Sequence, residues 1–311
     1  MKVGEYLDRW LKDSVKDTVR QRTWEGYEQI VRIHLKPSLG RLKLKNLTPT
    51  HVRGLYREKL DAGSSPRTVQ YIHVTLKKVL SQAVENGLIP RNAAASVKAP
   101  RPVKKEIKPL TQEQAQAFLD AARGDRFEAL YVVALHCGLR EGELLGLKWE
   151  DVDLEAGTPQ VRRTLSESRE RGHIFEPPKN GKGRNVKLTA RAKAALKAHR
   201  KRQLEERLHK GSGLWENHGL IFPNQLGKTM NARNLTARSF KPILKRAGLP
   251  EAVRVHDLRH TCATILLKLG QHPKFVQDLL RHANIGITLD TYSHVLPGMG
   301  DGLADAMDDA L

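Results

Sequence analysis

The sequence predicts a mainly α protein with a small antiparallel sheet, an α+β chain in two domains, and three observations carry that expectation. Through the first 95 residues apolar side chains recur at helical spacing. Around 160–165, 173–177 and 185–188 the pattern turns instead to the two-residue alternation of strands. Between the helical part and the mixed part lies SVKAPRPVKKEIKPL, residues 96–110, with three prolines and five basic residues. Such a stretch is extended rather than packed, and suits a linker lying along a phosphate backbone.

The elements follow in order. Val3, Tyr6, Leu7, Trp10 and Leu11 stripe a first helix. A second runs over about 23–35, and Pro37 with Gly40 is expected to stop it. A third spans about 48–62, and after Gly63, Ser64, Ser65 and Pro66 a long helix covers about 67–86. Its apolar stripe is Val69, Ile72, Leu76, Val79, Leu80 and Ala83. Past the linker, Thr111 and Gln114 form a capping-box pattern that starts the next helix. Residues 127–137 make an apolar helix, and the three alternating stretches follow, with the basic, glycine-containing turn PKNGKGR between the last two. Helices return at about 189–207, 231–247, 256–270 and 273–280. The chain ends in GDGLADAMDDAL, where Leu303, Met307 and Leu311 fall at four-residue steps beside acidic positions.

Composition narrows the function. The 54 Lys and Arg against 34 Asp and Glu give a net charge of +20. That excess costs self-repulsion unless a polyanion shares the surface, and nucleic acid is the usual one. A membrane-surface binder is the competing reading of the same charge. Residues 1–95 hold 18 Lys and Arg against 9 Asp and Glu, so the helical domain is itself basic. Aromatics are only 5%, which argues against stacking platforms for single strands. Cys137 and Cys262 are far apart in apolar stretches and are expected to be reduced core residues. No apolar run approaches 18 residues and no signal peptide opens the chain, so a soluble, cytoplasmic protein is expected.

Four segments carry candidate chemistry. In VRVHDLRHT, residues 253–261, His256 and Arg259 share a helix face and suit a phosphate: arginine pairs two oxygens and imidazole adds a hydrogen bond or moves a proton. His256 and His260 also have the spacing of a zinc helix, but Asp257 stands where such helices carry Glu and no third ligand stands out. In GLREGELLGLKWEDVDL, residues 138–154, Arg140 emerges from the end of a buried helix and Glu143 lies one turn on, placed to hold its guanidinium. In LLRHANIGITLDTYSHV, residues 279–295, a short segment separates His282 from Tyr292. Lys179 sits in the basic turn with Lys182 and Arg184 beside it, where basic side chains are ordinarily solvated.

Taken together, Arg140, Lys179, His256, Arg259, His282 and Tyr292 resemble, in identity and order, the catalytic set of the tyrosine recombinases of the phage-integrase family. The first arginine motif, the ten-residue step from His282 to Tyr292 and the TYSH ending are similar to that family's. SPRTVQYIHVTLKKVLSQAVENGLIPRNAA, residues 65–94, resembles its core-binding helices, so the likeness covers nearly the whole chain. Two departures stand out. Larger integrases of this type carry an arm-binding domain before a stretch like KVGEYLDRWL, which here begins at residue 2, and Arg281 occupies a position where the family commonly has glycine.

The resemblance implies a helical core-site DNA-binding domain over 1–95, a linker over 96–110 and a tyrosine-recombinase catalytic domain over 111–311. It implies Tyr292 as nucleophile, Arg140 and Arg259 as clamps on the phosphate oxygens, and His256 and His282 completing the cradle. Lys179 would protonate the leaving 5′-oxygen, with Lys182 as its substitute, and Glu143 would support the arginines. A free phenol with a pKa of about 10 is ionised to only about a thousandth at neutral pH, so the nucleophile needs help to lose its proton. Neither metal nor other cofactor is required, because two arginines supply the positive charge. The implied partners are double-stranded DNA core sites, three further copies of the chain in a tetramer, and accessory bending or excision factors, in the cytoplasm of a prokaryote. The C-terminal segment is a candidate to pack on a neighbouring protomer. The rivals are a type IB topoisomerase or hairpin-forming resolvase, a DNA-binding regulator without strand exchange, and a metal-dependent nuclease.

Overall fold

Wide helical turns placed just ahead of prolines shape much of this chain. The computed structural model describes residues 1–103, 108–178, 183–211, 213–292 and 307–309. Two units emerge: Met1–Lys105 with Ser168–Gly172, and Glu106–Glu167 with His173–Leu311.

In the first unit, α1 (Val3–Arg9) runs on through a wider turn at Trp10–Val15. The second helix passes Pro37, against expectation, and ends at Gly40, the other residue predicted to stop it. α2 (Gln21–Ile30) continues through Val31–Leu35 into α3 (Lys36–Leu39). Within that join the Lys36 N–H donates to the Val31 carbonyl, five residues back. A proline ring normally collides with the carbonyl four residues behind it, and a wide turn displaces that carbonyl. α4 (Pro49–Asp61) and α5 (Pro66–Glu85) complete the unit, α5 capped by Ser65, whose Oγ accepts from the Thr68 N–H at 3.1 Å. The predicted stripe of α5 is buried, packing with Tyr6, Leu7, Trp10, Leu35 and Leu55 into one core. The proline-rich stretch gives one residue to each core: Val97 is buried in this one and Leu110 in that of the second unit.

The second unit is built around α7 (Glu128–Cys137), buried on almost every side. α6 (Gln112–Ala121), α9 (Ala190–Lys210) and α12 (Asp257–Lys268) pack on it. Phe118, Tyr131 and Phe240 meet with ring centroids 5.3–5.8 Å apart. α8 (Glu141–Leu145) follows α7 directly. α10 (Ala232–Leu235) passes through a wide turn at Thr236–Phe240 into α11 (Lys241–Arg246), where Pro242 stands as Pro37 does in the first unit. α13 (Pro273–Leu280) and α14 (Ile285–Tyr292) come last.

The antiparallel sheet is in two pieces. β1 (Val152–Asp153), β2 (Thr158–Val161) and β5 (Arg184–Asn185) lie in the order β1-β2-β5, while β3 (Thr164–Ser168) and β4 (Gly172–Glu176) pair separately. The stretch expected as one strand over 160–165 is thus divided at Arg162 and Arg163. Arg163 leaves the ladder to pair with the buried Asp151 at 2.9 Å and with Glu150 at 3.0 Å. Of the C-terminal segment only 307–309 is described, so its predicted packing lies outside the described residues, as does Lys179. Cys137 and Cys262 are both free and buried.

Candidate active site

Three arginines gather on the last carbonyls of α13, and the local sequence explains how each arrives. Gly138 ends α7 in the left-handed region, φ 59° and ψ 29°. A Cβ there would also stand 2.8 Å from Leu280 Cδ2 and 3.4 Å from Cys262 Sγ, so both backbone and space call for glycine. The turn buries Leu139 and delivers Arg140 to the N-cap of α8. Its backbone N–H donates to Glu143 Oε2 and its Nη1 to Glu143 Oε1, both at 2.9 Å. Its Nη2 lies 3.4 and 3.3 Å from the carbonyls of Leu280 and Arg281.

Arg259, on the first turn of α12, is 2% exposed and donates to the carbonyls of Gly138 and Leu280. Arg184, at the start of β5, donates to Glu143 Oε2 at 2.8 Å and to the Leu279 carbonyl. A helix leaves its last carbonyls unpaired and its C-terminal end partly negative, so guanidiniums settle there. Glu143, 3% exposed, serves two of them at once. Burial opposes its charge, yet Arg184, the Arg140 backbone and the Arg140 side chain prevail and hold its pKa below the usual carboxylate range. Burial, reinforced by Arg140, presses Arg259 down to about 9, still protonated at neutral pH.

The histidines and the tyrosine complete the group. His256 precedes α12, and burial followed by Arg259 lowers its pKa. His282 follows α13, with Nδ1 2.9 Å from Thr288 Oγ1. Burial, then Arg259 and Arg140, push it down to about 4. Tyr292 ends α14 at 1% exposure among Ala263, Leu267, Val276 and Leu280. Burial raises its pKa, and the positive charge of Arg259 works against that rise. Its hydroxyl lies 2.7 Å from Nδ1 of His260.

Of the residues predicted for the site, the fold therefore brings Arg140, Glu143, His256, Arg259, His282 and Tyr292 into one neighbourhood. Lys179 is outside the described residues. Two residues there were not assigned to it from sequence. Arg184 was expected to be solvated, but it is 7% exposed. Its parity with Val186 and Leu188, both buried, was the available signal, because alternate residues of a strand share a face. In the sequence His260 stands out only by its zinc-helix spacing from His256. Its ring meets His256 edge-on at 5.1 Å, and among the described residues no group of three His, Cys, Asp or Glu is placed to hold a metal.

Residues 108–298 match the Phage integrase family, and residues 2–60 match the Phage integrase N-terminal SAM-like domain. The chain is 32% identical to a "Tyrosine recombinase XerC-like" protein of Caldanaerobacter subterraneus subsp. tengcongensis, over 99% of this chain and 83% of that one. Among solved structures it is similar to the Tn1549 transposon integrase in complex with a circular intermediate DNA, with a TM-score of 0.82 at 24% identity, covering 100% of both chains. It is also similar to a lambda integrase tetramer bound to a Holliday junction, with a TM-score of 0.65 at 19% identity, covering 94% of this chain and 77% of that one.

Proposed function

The chain belongs to the phage integrase family and is a site-specific recombinase that breaks and rejoins DNA, and we propose that it does so through a 3′-phosphotyrosine formed by Tyr292. The observation that carries this reading is the clustering of Arg140, His256 and His282 around Arg259, which shares the Leu280 carbonyl with Arg140 and whose positive charge reaches the Tyr292 phenol.

Arg140 and Arg259 clamp the non-bridging oxygens of the scissile phosphate, where charge gathers in the transition state. Each guanidinium carries five N–H donors, so the carbonyl bonds of Arg259 leave others for the phosphate. Arg140, with 31% of its side chain exposed, offers the more open of the two edges. His256 and His282, both neutral at pH 7 by their lowered pKa values, complete the cradle as hydrogen-bonding groups. Glu143 touches no reacting atom and fixes Arg140 and Arg184 in place. Lys179 protonates the departing 5′-oxygen, with Lys182 as its substitute. The phosphotyrosine conserves the energy of the broken bond until a 5′-hydroxyl from another strand attacks it.

Double-stranded core sites are the substrate, with residues 1–95 binding the core site, 96–110 linking and 111–311 catalysing. Four protomers act together, a reading supported by the tetrameric assembly of the lambda integrase neighbour. The protein acts in the cytoplasm, at the nucleoid, on a mobile element. No described helix is long and apolar enough to cross a membrane.

Trapping on a nicked suicide DNA carrying the core site tests the mechanism. Wild type leaves a covalent protein–DNA band on a denaturing gel, formed equally in chelator, and Tyr292→Phe leaves none. A band from Tyr292→Phe would remove Tyr292 as nucleophile.

A further inference from the structure

His260 stands outside the residues assigned a role above, yet its ring nitrogen lies in hydrogen-bond contact with the nucleophile's hydroxyl. His256, Arg259 and His260 share a face of α12, and the 2.7 Å contact of His260 Nδ1 is the one hydrogen bond of the Tyr292 hydroxyl among the described residues. With the ring proton on Nε2, Nδ1 is the acceptor that the buried phenol proton requires. The other two histidines are placed differently: Nδ1 of His282 is taken by Thr288, and the described contact of His256 is its ring edge against His260.

Resting on the assignment of Tyr292 as nucleophile, we propose that His260 is the group that holds the Tyr292 hydroxyl in line and accepts its proton when the phenol attacks phosphorus. The Tyr292 Oη–P bond forms as the P–O5′ bond breaks. The phenol proton passes to His260 Nδ1, and the departing 5′-oxygen takes its proton from the lysine of the basic turn. Resealing reverses each transfer, the imidazolium returning its proton to Oη.

The surroundings make this base silent until DNA arrives. His260 faces His256, Asp257, Arg259 and Arg254, together with the phenol itself. Burial first, then His256, hold the imidazole down to about 4, with Asp257 pulling the other way. Burial raises the phenol in the same pocket, so the proton stays on oxygen and the nucleophile is dormant. A scissile phosphate brought beside Arg140 and Arg259 adds negative charge next to the ring, which favours the imidazolium. The phenol is then deprotonated only as it is consumed.

Single-turnover cleavage of the suicide DNA tests this with His260→Ala and His260→Asn, with Tyr292→Phe alongside. Asparagine places an acceptor oxygen near the position of Nδ1 but is no base. Both variants are expected to bind intact core-site DNA as wild type does and to cleave at least about 100-fold more slowly, the usual loss for a missing general base. Their rates are expected to climb roughly tenfold per pH unit between about 7 and 10, as hydroxide replaces the lost acceptor. Full activity in His260→Asn with slow His260→Ala would reduce His260 to positioning alone and overturn the proton transfer. Unchanged cleavage in both, or a slow rate that ignores pH, would overturn the proposal outright. A covalent product from Tyr292→Phe would instead strike at the nucleophile, and the proposal would fall with it.

Discussion

At the scale of single residues, Glu143 ties two of the site's arginines together. One buried carboxylate accepts from the Arg140 backbone, the Arg140 guanidinium and the Arg184 guanidinium. Glu143→Gln keeps the shape and removes the charge that two arginines share. Breaking a buried ion pair from one side leaves an uncompensated charge and costs about 3 kcal/mol. We expect the variant to unfold at correspondingly lower urea and to give little trapped covalent product, because Arg140 is no longer held at the α8 N-cap. Urea unfolding and suicide-substrate trapping measure the two effects. A variant as stable and active as wild type would show that the carboxylate's charge is dispensable. Arg184 belongs to the same unit of electrostatics, and its burial beside Glu143 makes it part of the support rather than a solvated turn residue.

At the scale of elements, the C-terminus of α13 organises the site. Its last carbonyls receive Arg140, Arg184 and Arg259, and its cap is Arg281 at φ 52° and ψ 50°. Among the described residues Arg281 is the non-glycine with positive φ, a conformation that crowds Cβ against the carbonyl. Glycine takes it without strain. Arg281→Gly is therefore expected to stabilise the protein by about 0.5–1 kcal/mol. The gain is tempered by loss of the exposed bond from Arg281 Nη2 to the Gly183 carbonyl at 3.0 Å. A lower urea midpoint for this variant would mean that the Gly183 contact outweighs the relief of strain. Elsewhere the wide turns before Pro37 and Pro242 let helices pass prolines that would otherwise end them.

At the scale of the whole molecule, each unit holds its own apolar core, and the second hides histidines that only fit when neutral. Burial holds His199, His260 and His282 down to about 4, below the ordinary 6.5. Unfolding frees all three to bind protons below about pH 6.5, so the unfolded state takes up more protons than the folded one between about 6.5 and 4. Their contribution to stability is whole above that window and is lost as pH falls through it. We expect the urea midpoint of the second unit to be flat from pH 8 to 7 and to fall from pH 6.5 towards 4.5. A midpoint that holds steady or rises on acidification would show that these rings are protonated in the folded protein.

The sequence by itself determined what is settled within a few residues. The stripe of α5, the capping box at Thr111, the apolar α7 ended by Gly138 and the bounds of α13 all follow from spacing and turn chemistry that a short window contains. The order of Arg140, His256, Arg259, His282 and Tyr292 was likewise legible, because matching a motif requires no knowledge of what it touches. Glu143 was readable as the partner of Arg140, being three residues away on the same turn. Tertiary structure alone decided the rest. The division of the strand at Arg163 depends on Asp151, twelve residues back. Arg184 is buried because Glu143 and the end of α13 meet it there. The hydroxyl of Tyr292 meets His260 because α13 packs on both α12 and α14 and Tyr292 is buried against Ala263 and Leu267 of α12, and hydrophobic periodicity says which face is buried without saying which polar atom of a distant helix waits on it.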